Sequence, residues 1–221
     1  SSLVGSEMYI RDRVQSAIFL LNIGDKVTID IPSEKGFDKL ETVDRDLAII
    51  YEDEHFLIID KPVGVASIPS VNHSNTMANF VKAYYSRKNY ENQQVHIVTR
   101  LDRDTSGLML FAKHGYAHAR LDKQLQKRKI EKRYYALVKG SGELPAEGEI
   151  VAPIGRNLDS IITRCVTNEG KYAHTSYKVI EKFGDIYLVD IRLHTGRTHQ
   201  IRVHFSYCLL YTSPSPRDST S

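Results

Sequence analysis

The chain has 221 residues, of which 41% are hydrophobic, 26% charged and 9% aromatic, and a formal net charge of +3. That apolar fraction suffices for a folded core and argues against intrinsic disorder, while no apolar run approaches the ~20 residues of a membrane span. Two cysteines, Cys165 and Cys208, stand far apart. Neither a disulfide framework nor a structural zinc site is therefore expected, and with no leader pattern in view the expected setting is the reducing cytosol.

Near the start, Asn22–Pro32 reads as a short strand unit followed by a charged linker. Leu47–Tyr51 and His55–Asp60 read as strands split by the acidic turn Glu52–Glu54, and Lys61-Pro62 with Gly64 ends the second in a sharp turn. Thr76–Lys88 places Met77, Phe80, Val81, Tyr84 and Tyr85 at helical spacing behind Thr76 as a cap. Val95–Val98 and Leu108–Lys113 read as strands flanking the charged loop Thr99–Gly107. Tyr116–Arg128 reads as a helix with Ala117, Leu121 and Leu125 inward. Ile130–Lys139 alternates as a strand and Gly140–Gly148 is a loop. Ile161–Val166, Ala173–Lys182 and Ile186–His194 read as further strands. From Thr198 the period becomes helical, with Ile201, His204, Phe205, Cys208 and Leu209 on one stripe. Together these predict an α+β fold with a mixed, mostly antiparallel sheet and flanking helices.

Charge is unevenly spread. Residues 1–60 hold 6 Lys/Arg against 13 Asp/Glu, whereas residues 113–139 hold 9 against 2. Residues 192–207 carry three arginines and three histidines with no acid. A basic block of this size fits a polyanion-facing surface or a solvated helix face, and Lys127, Arg128 and Lys129 are its densest part.

Two segments can carry chemistry. Arg100-Leu101-Asp102-Arg103-Asp104-Thr105-Ser106-Gly107 sets two carboxylates and two guanidinium groups on one loop. Asp102 there reads as a catalytic acid or as a surface ion-pair partner, and Asp104 as the builder of an Asx turn with Thr105 and Ser106. In Thr195-Gly196-Arg197-Thr198-His199-Gln200-Ile201-Arg202, Thr198 is the expected cap of a helix. Its N-terminus, with Arg197, His199 and Arg202, suits a phosphate or a carboxylate, although a plain capped core helix fits as well. His194, His199 and His204 are spaced five apart, which matches no helical ligand pattern, so no metal is expected. Tyr134 shares a strand face with Ala136 and Val138, where a tyrosine is ordinarily core or sheet edge.

The segments HFLIIDKPVGV, TRLDRDTSGLMLFAK, KRYYALVKG and HTGRTHQIRVH, in this order, strongly resemble the RluA/RluD-type RNA pseudouridine synthases over residues 47–207. The resemblance implies a bisected sheet with a basic active-site cleft and isomerisation of selected uridines without cofactor or metal. It implies structured RNA, ribosomal or transfer, as the partner, with no membrane and a monomeric enzyme. By motif position it implies Asp102 as the catalytic aspartate, Tyr134 as the ring under the target uracil and Arg202 as the basic partner of the aspartate. Arg100 matches the arginine that fills the gap left by the flipped nucleotide, and Thr105 and Ser106 shape the loop. Lys61, Arg197, His199, Lys127, Arg128 and Lys129 complete the expected RNA-contacting set. Thr99 stands where the family often has histidine or asparagine.

The resemblance also divides the chain. Residues 1–37 are expected to be a remnant of an RNA-binding module, 38–46 a linker and 47–208 a catalytic domain incomplete at its C-terminus. Residues 209–221 are expected to be an unrelated, disordered tail. The alternative function is a non-catalytic RNA-binding protein that kept the fold; a nucleotide-handling enzyme is disfavoured by the lack of a Gly-rich phosphate loop.

Overall fold

A computed structural model describes residues 7–10, 13–15, 22–30, 34, 40–70, 75–140, 143–156, 164–208 and 210–212. The expected tail beyond 212 and the parts of the expected N-terminal module not in these ranges lie outside the described residues. The chain divides into two compact units, Ser1–Asp122 and Lys123–Ser221.

In the first unit β1 (Glu7–Ile10), β2 (Arg13–Gln15) and β3 (Val27–Asp30) form a three-stranded antiparallel sheet in the order β2-β1-β3. A second sheet, ordered β4-β5-β7-β6, joins β4 (Ala48–Glu52), β5 (Phe56–Lys61), β7 (Gly107–Ala112) and β6 (His96–Ile97). Strict alternation in β5 buries Leu57, Ile59 and Lys61 and turns Asp60 outward. Across the ladder Ile59 faces Met109 and Leu57 faces Phe111, and helix α1 (Met77–Arg87) packs Met77, Phe80, Val81, Tyr84 and Tyr85 into the same core. The helix begins as its sequence indicates. The Thr76 N–H donates to Asn79 Oδ1 at 3.1 Å, and Asn79 Nδ2 donates to the Glu41 carbonyl at 2.8 Å.

Helix α2 (Gly115–Gln126) runs across the division, with Ala117 buried and Leu121 and Leu125 half-buried. It closes on backbone bonds from Arg128 N to Leu125 O at 3.0 Å and Lys129 N to Gln124 O at 2.9 Å. Arg128 takes the left-handed conformation at φ 55° where glycine is usual, and Lys127, Arg128 and Lys129 are all exposed around that turn.

The second unit is built on a five-stranded antiparallel sheet, β14-β8-β13-β12-β9. Its strands are β8 (Lys132–Gly140), β9 (Glu147–Val151), β12 (His174–Phe183), β13 (Ile186–Leu193) and β14 (Leu210–Thr212). β10 (Ile154–Arg156) and β11 (Arg164–Val166) pair separately. One face of the sheet carries the rows Lys132–Leu193–Thr175–Ile150 and Tyr134–Ile191–Tyr177–Gly148. A Cβ at 148 would meet the Tyr177 hydroxyl at 2.8 Å, so glycine there makes room for that ring. Helix α3 (Gln200–Tyr207) covers this core, with Phe205 meeting Tyr177 edge-on at 5.3 Å.

The α+β, antiparallel reading holds. Three local expectations do not. Gly140–Gly148 was expected as a loop, yet β9 begins at Glu147, and neither β9 nor β10 was expected, because Gly148, Pro153 and Gly155 mask their pattern. The cap of α3 is His199 rather than Thr198. Its buried stripe is Gln200, Val203, His204 and Phe205, whereas Ile201 is half-buried and Cys208 exposed.

Candidate active site

The acidic loop of the first unit runs from Val98 to Ser106, between β6 and β7, and its backbone is pinned from beneath. Ser67, 5% exposed, donates its hydroxyl proton to the Leu101 carbonyl at 2.6 Å and accepts from the Leu101 N–H at 3.1 Å. The Gly64 N–H donates to the Arg103 carbonyl at 2.9 Å, and the Thr105 N–H closes a turn onto the Asp102 carbonyl at 3.1 Å. Thr99 accepts the Leu110 N–H at 2.9 Å, a bond that explains what a hydroxyl does at this position. At the far end Gly107 sits at φ 120°, which side chains other than glycine rarely adopt. Asp102 and Thr105 are half-buried, and Arg100 and Ser106 are exposed. The carboxylate of Asp104 accepts from Arg103 Nε at 3.0 Å; the turn itself is made by the backbone of Asp102 and Thr105.

Lys61 corrects an expectation. It was placed among RNA-contacting residues, but it is 0% exposed. Its ammonium donates to the carbonyls of Pro62 at 2.8 Å, Val65 at 2.7 Å and Arg103 at 3.0 Å. A lysine ammonium has three donors, so all are used inside the fold. Burial holds its pKa below the ordinary lysine range, while the charges of Asp104 and Asp102 oppose that lowering. Lys61 thus fastens the acid loop to the β5 turn and sets a positive charge near both carboxylates. Its alternation with Leu57 and Ile59 was the signal in the sequence that it points inward.

In the second unit, Tyr134 lies on β8 on the face packed against the sheet core, as its alternation with Ala136 and Val138 indicates. Arg202 is half-buried on α3. The start of α3 is set by a residue the sequence reading passed over. Gln200, 2% exposed, accepts on Oε1 from the Arg197 N–H at 3.0 Å and the Thr195 hydroxyl at 2.8 Å. Its Nε2 donates to the His174 carbonyl at 3.0 Å and to Thr175 Oγ1 at 2.9 Å. His199, in the left-handed conformation at φ 55°, accepts the Val203 N–H on its carbonyl at 2.9 Å. Arg197 is exposed and donates from Nε to the Tyr172 carbonyl at 2.9 Å.

His204 completes this chain of bonds. Its Nε2 lies 2.9 Å from the Ala152 carbonyl, which only accepts, so Nε2 carries the proton and Nδ1 accepts from Thr175 Oγ1 at 2.9 Å. Burial lowers the His204 pKa, against the hydrogen bond to Ala152 and in concert with nearby His174. The unfolded chain therefore binds this proton first as pH falls below about 6.5. Stability is full above that pH and is lost below it, down towards the folded value. Urea midpoints on the two sides of pH 6.5 test this, with the midpoint falling on the acid side and His204→Asn reducing the fall. A midpoint independent of pH overturns it.

No metal was expected from His194, His199 and His204, and His204 is enclosed by its two hydrogen bonds. A different group, Glu149, His174 and His194, holds ligand atoms within 4.8 Å of one another. The two imidazoles are stacked at 4.1 Å and 18°, however, so their ring planes lie nearly parallel and do not meet at one shared ion.

Comparison with known proteins bears on all of these segments. The family model described as RNA pseudouridylate synthase matches residues 55–207. The uncharacterized RNA pseudouridine synthase YjbO of Bacillus subtilis is 43% identical over 204 residues, 92% of this chain and 71% of that protein. Ribosomal large subunit pseudouridine synthase D of Pseudomonas aeruginosa is 41% identical over 164 residues, 74% of this chain and 51% of its own length. The chain thus spans about half to seven-tenths of the curated relatives it matches. The solved structure of human RNA pseudouridylate synthase domain containing 1 superposes with a TM-score of 0.62 at 25% identity, covering 76% of this chain and 67% of that one.

Proposed function

The chain belongs to the RNA pseudouridylate synthase family, a family of isomerases, and from that premise we propose that it converts selected uridines of large-subunit ribosomal RNA to pseudouridine with Asp102 as the reacting acid. The observation that carries this reading is the pinned loop of the first unit, which fixes the backbone of Asp102 while its side chain stays half-exposed.

The reaction breaks the bond from ribose to N1, turns the base and forms a bond from ribose to C5, whose proton then leaves. An ionised carboxylate at 102 traps the sugar or base covalently or stabilises an oxocarbenium-like species. By motif position the resemblance gives Arg202 the guanidinium role, for which its forked geometry suits it better than lysine. Extruding the uracil costs a few kcal/mol, and stacking on the Tyr134 ring returns ~1–3 kcal/mol. The C5 proton leaves by way of the tyrosine oxygen, which passes its own proton to water as it accepts the new one, while N1 takes up a proton from water. Arg100, Thr105 and Ser106 line the RNA-facing side of the loop, and Arg197 and His199 contact phosphates. The enzyme works as a monomer in the cytoplasm, needs no cofactor, and holds its catalytic residues within 47–208; residues 1–37, with β1–β3, derive from an RNA-binding module. The ribosomal target is taken from the Pseudomonas relative's name.

Mapping pseudouridine across total RNA with and without the gene product tests the reading. Sites lost from large-subunit ribosomal RNA support it; an unchanged map, with RNA still bound, leaves only the non-catalytic binding protein. The exposed Lys127, Arg128 and Lys129 turn gives a second test. Replacing all three by glutamine should flatten the salt dependence of RNA affinity by about 2 in log–log slope, at ~0.7 per single-strand phosphate contact. An unchanged slope reduces them to a solvated helix end.

A further inference from the structure

Lys132 is the first residue of β8 and shares the inward face of that strand with Tyr134. It pairs in register with Leu193, the last residue of β13, and the chain after Leu193 turns back so that Gly196 lies over the lysine. A Cβ at 196 would stand 2.9 Å from Lys132 Nζ. Arg197, the next residue, has its guanidinium held by the bond from Nε to the Tyr172 carbonyl and its backbone by Gln200. The Lys132 ammonium thus lies against Gly196, near enough to Arg197 for the arginine's charge to act on it. Among the described residues neither makes an ion pair with a carboxylate, and neighbouring Glu131 is taken by Arg192. Burial lowers the Lys132 pKa, and the charge of Arg197 lowers it further, with no acid in opposition.

A half-buried lysine beside an exposed arginine, with no carboxylate partner among the described residues, is costly in the unbound protein and is relieved by an anion that reaches both. The location says which anion. Two residues along an extended strand span about 7 Å, the reach from a base stacked on Tyr134 to a phosphate of the same or the adjoining nucleotide. We propose that Lys132 and Arg197, with Gly196 between them, form a subsite for one phosphodiester of the RNA next to the target uridine. The proposal rests on the reading of Tyr134 as the base platform and adds a specific backbone contact to it. A methyl group at 196 would stand 2.9 Å from Lys132 Nζ, which the flexible lysine side chain relieves by shifting its ammonium.

The test is the affinity of the full chain for a labelled single-stranded oligouridylate across a potassium chloride series. Lys132→Gln should lower the log–log slope by ~0.7, the loss of one single-strand phosphate contact. The double variant with Arg197→Gln should lose no more than that ~0.7, since both cations serve one phosphate. Lys132→Arg should keep the wild-type slope, and circular dichroism melts show which variants remain folded. An unchanged slope for Lys132→Gln overturns the subsite, and a loss of about 1.4 in the double variant overturns the sharing of a single phosphate. The readout is binding, so it stands or falls independently of whether Asp102 proves catalytic.

Discussion

Asp102→Asn should reduce pseudouridine formation by about 10⁴-fold or more, the scale seen when a residue central to covalent catalysis is removed, and leave RNA affinity nearly unchanged. The two side chains have the same shape, and the turn that places residue 102 uses its backbone carbonyl, which accepts from the Thr105 N–H at 3.1 Å. The loop is further held through Leu101 and Arg103, whose bonds to Ser67 and Lys61 the substitution leaves intact. What is lost is the negative charge and the nucleophilic oxygen. Mass spectrometry of RNA digests, read beside a filter-binding titration, separates the two effects. Asp104→Asn is the matched control. Its carboxylate is engaged by Arg103 Nε at 3.0 Å, so this variant should retain turnover within about tenfold, the modest effect expected of an ion-pair partner. Turnover surviving in Asp102→Asn, or lost equally in both variants, removes Asp102 from its role.

Much of this architecture could be read from residue order. Period-2 alternation located β5 and β8, and it put Tyr134 on the core face with Ala136 and Val138. Helical spacing found α1 and its Thr76 cap, and clustering of charge found the basic turn after α2. What stayed hidden depended on contacts between distant segments. Gln200 looks like any polar residue in a helical run until Thr195, Arg197, His174 and Thr175 are brought around its amide. Its bond to the Arg197 N–H starts the helix later than Thr198 suggests, and His199 enters the left-handed region to do so. His204 was seen on an apolar stripe, but its tautomer follows only from the Ala152 carbonyl, 52 residues away. The short strands of residues 147–156 are set by pairing with β12 and β11, which no local pattern encodes.

Lys61 is the instructive failure and yields the second large effect. Lysine is nearly always exposed, so its place beside Pro62 suggests a solvent-facing contact, although alternation with Leu57 and Ile59 points inward. If it held phosphate, Lys61→Met would flatten the salt dependence of RNA binding and leave the fold intact. The structure predicts the reverse. Methionine fills similar space but leaves the Pro62, Val65 and Arg103 carbonyls without the donor that now reaches them at 2.8, 2.7 and 3.0 Å. Hydrogen bonds from a charged donor contribute about 1.5–3 kcal/mol each before neighbours adjust, and breaking a buried charged arrangement costs about 3–5 kcal/mol in total. The urea midpoint should therefore drop sharply, and the salt slope of the protein still folded should match wild type. Turnover should fall as well, because the Arg103 carbonyl adjoins Asp102 and the ammonium supplies positive charge near that carboxylate. Lys61→Arg should not rescue, since a planar guanidinium cannot direct donors at three carbonyls grouped around a point charge. A Lys61→Met protein as stable as wild type, with a shallower salt slope, would return this residue to the RNA surface.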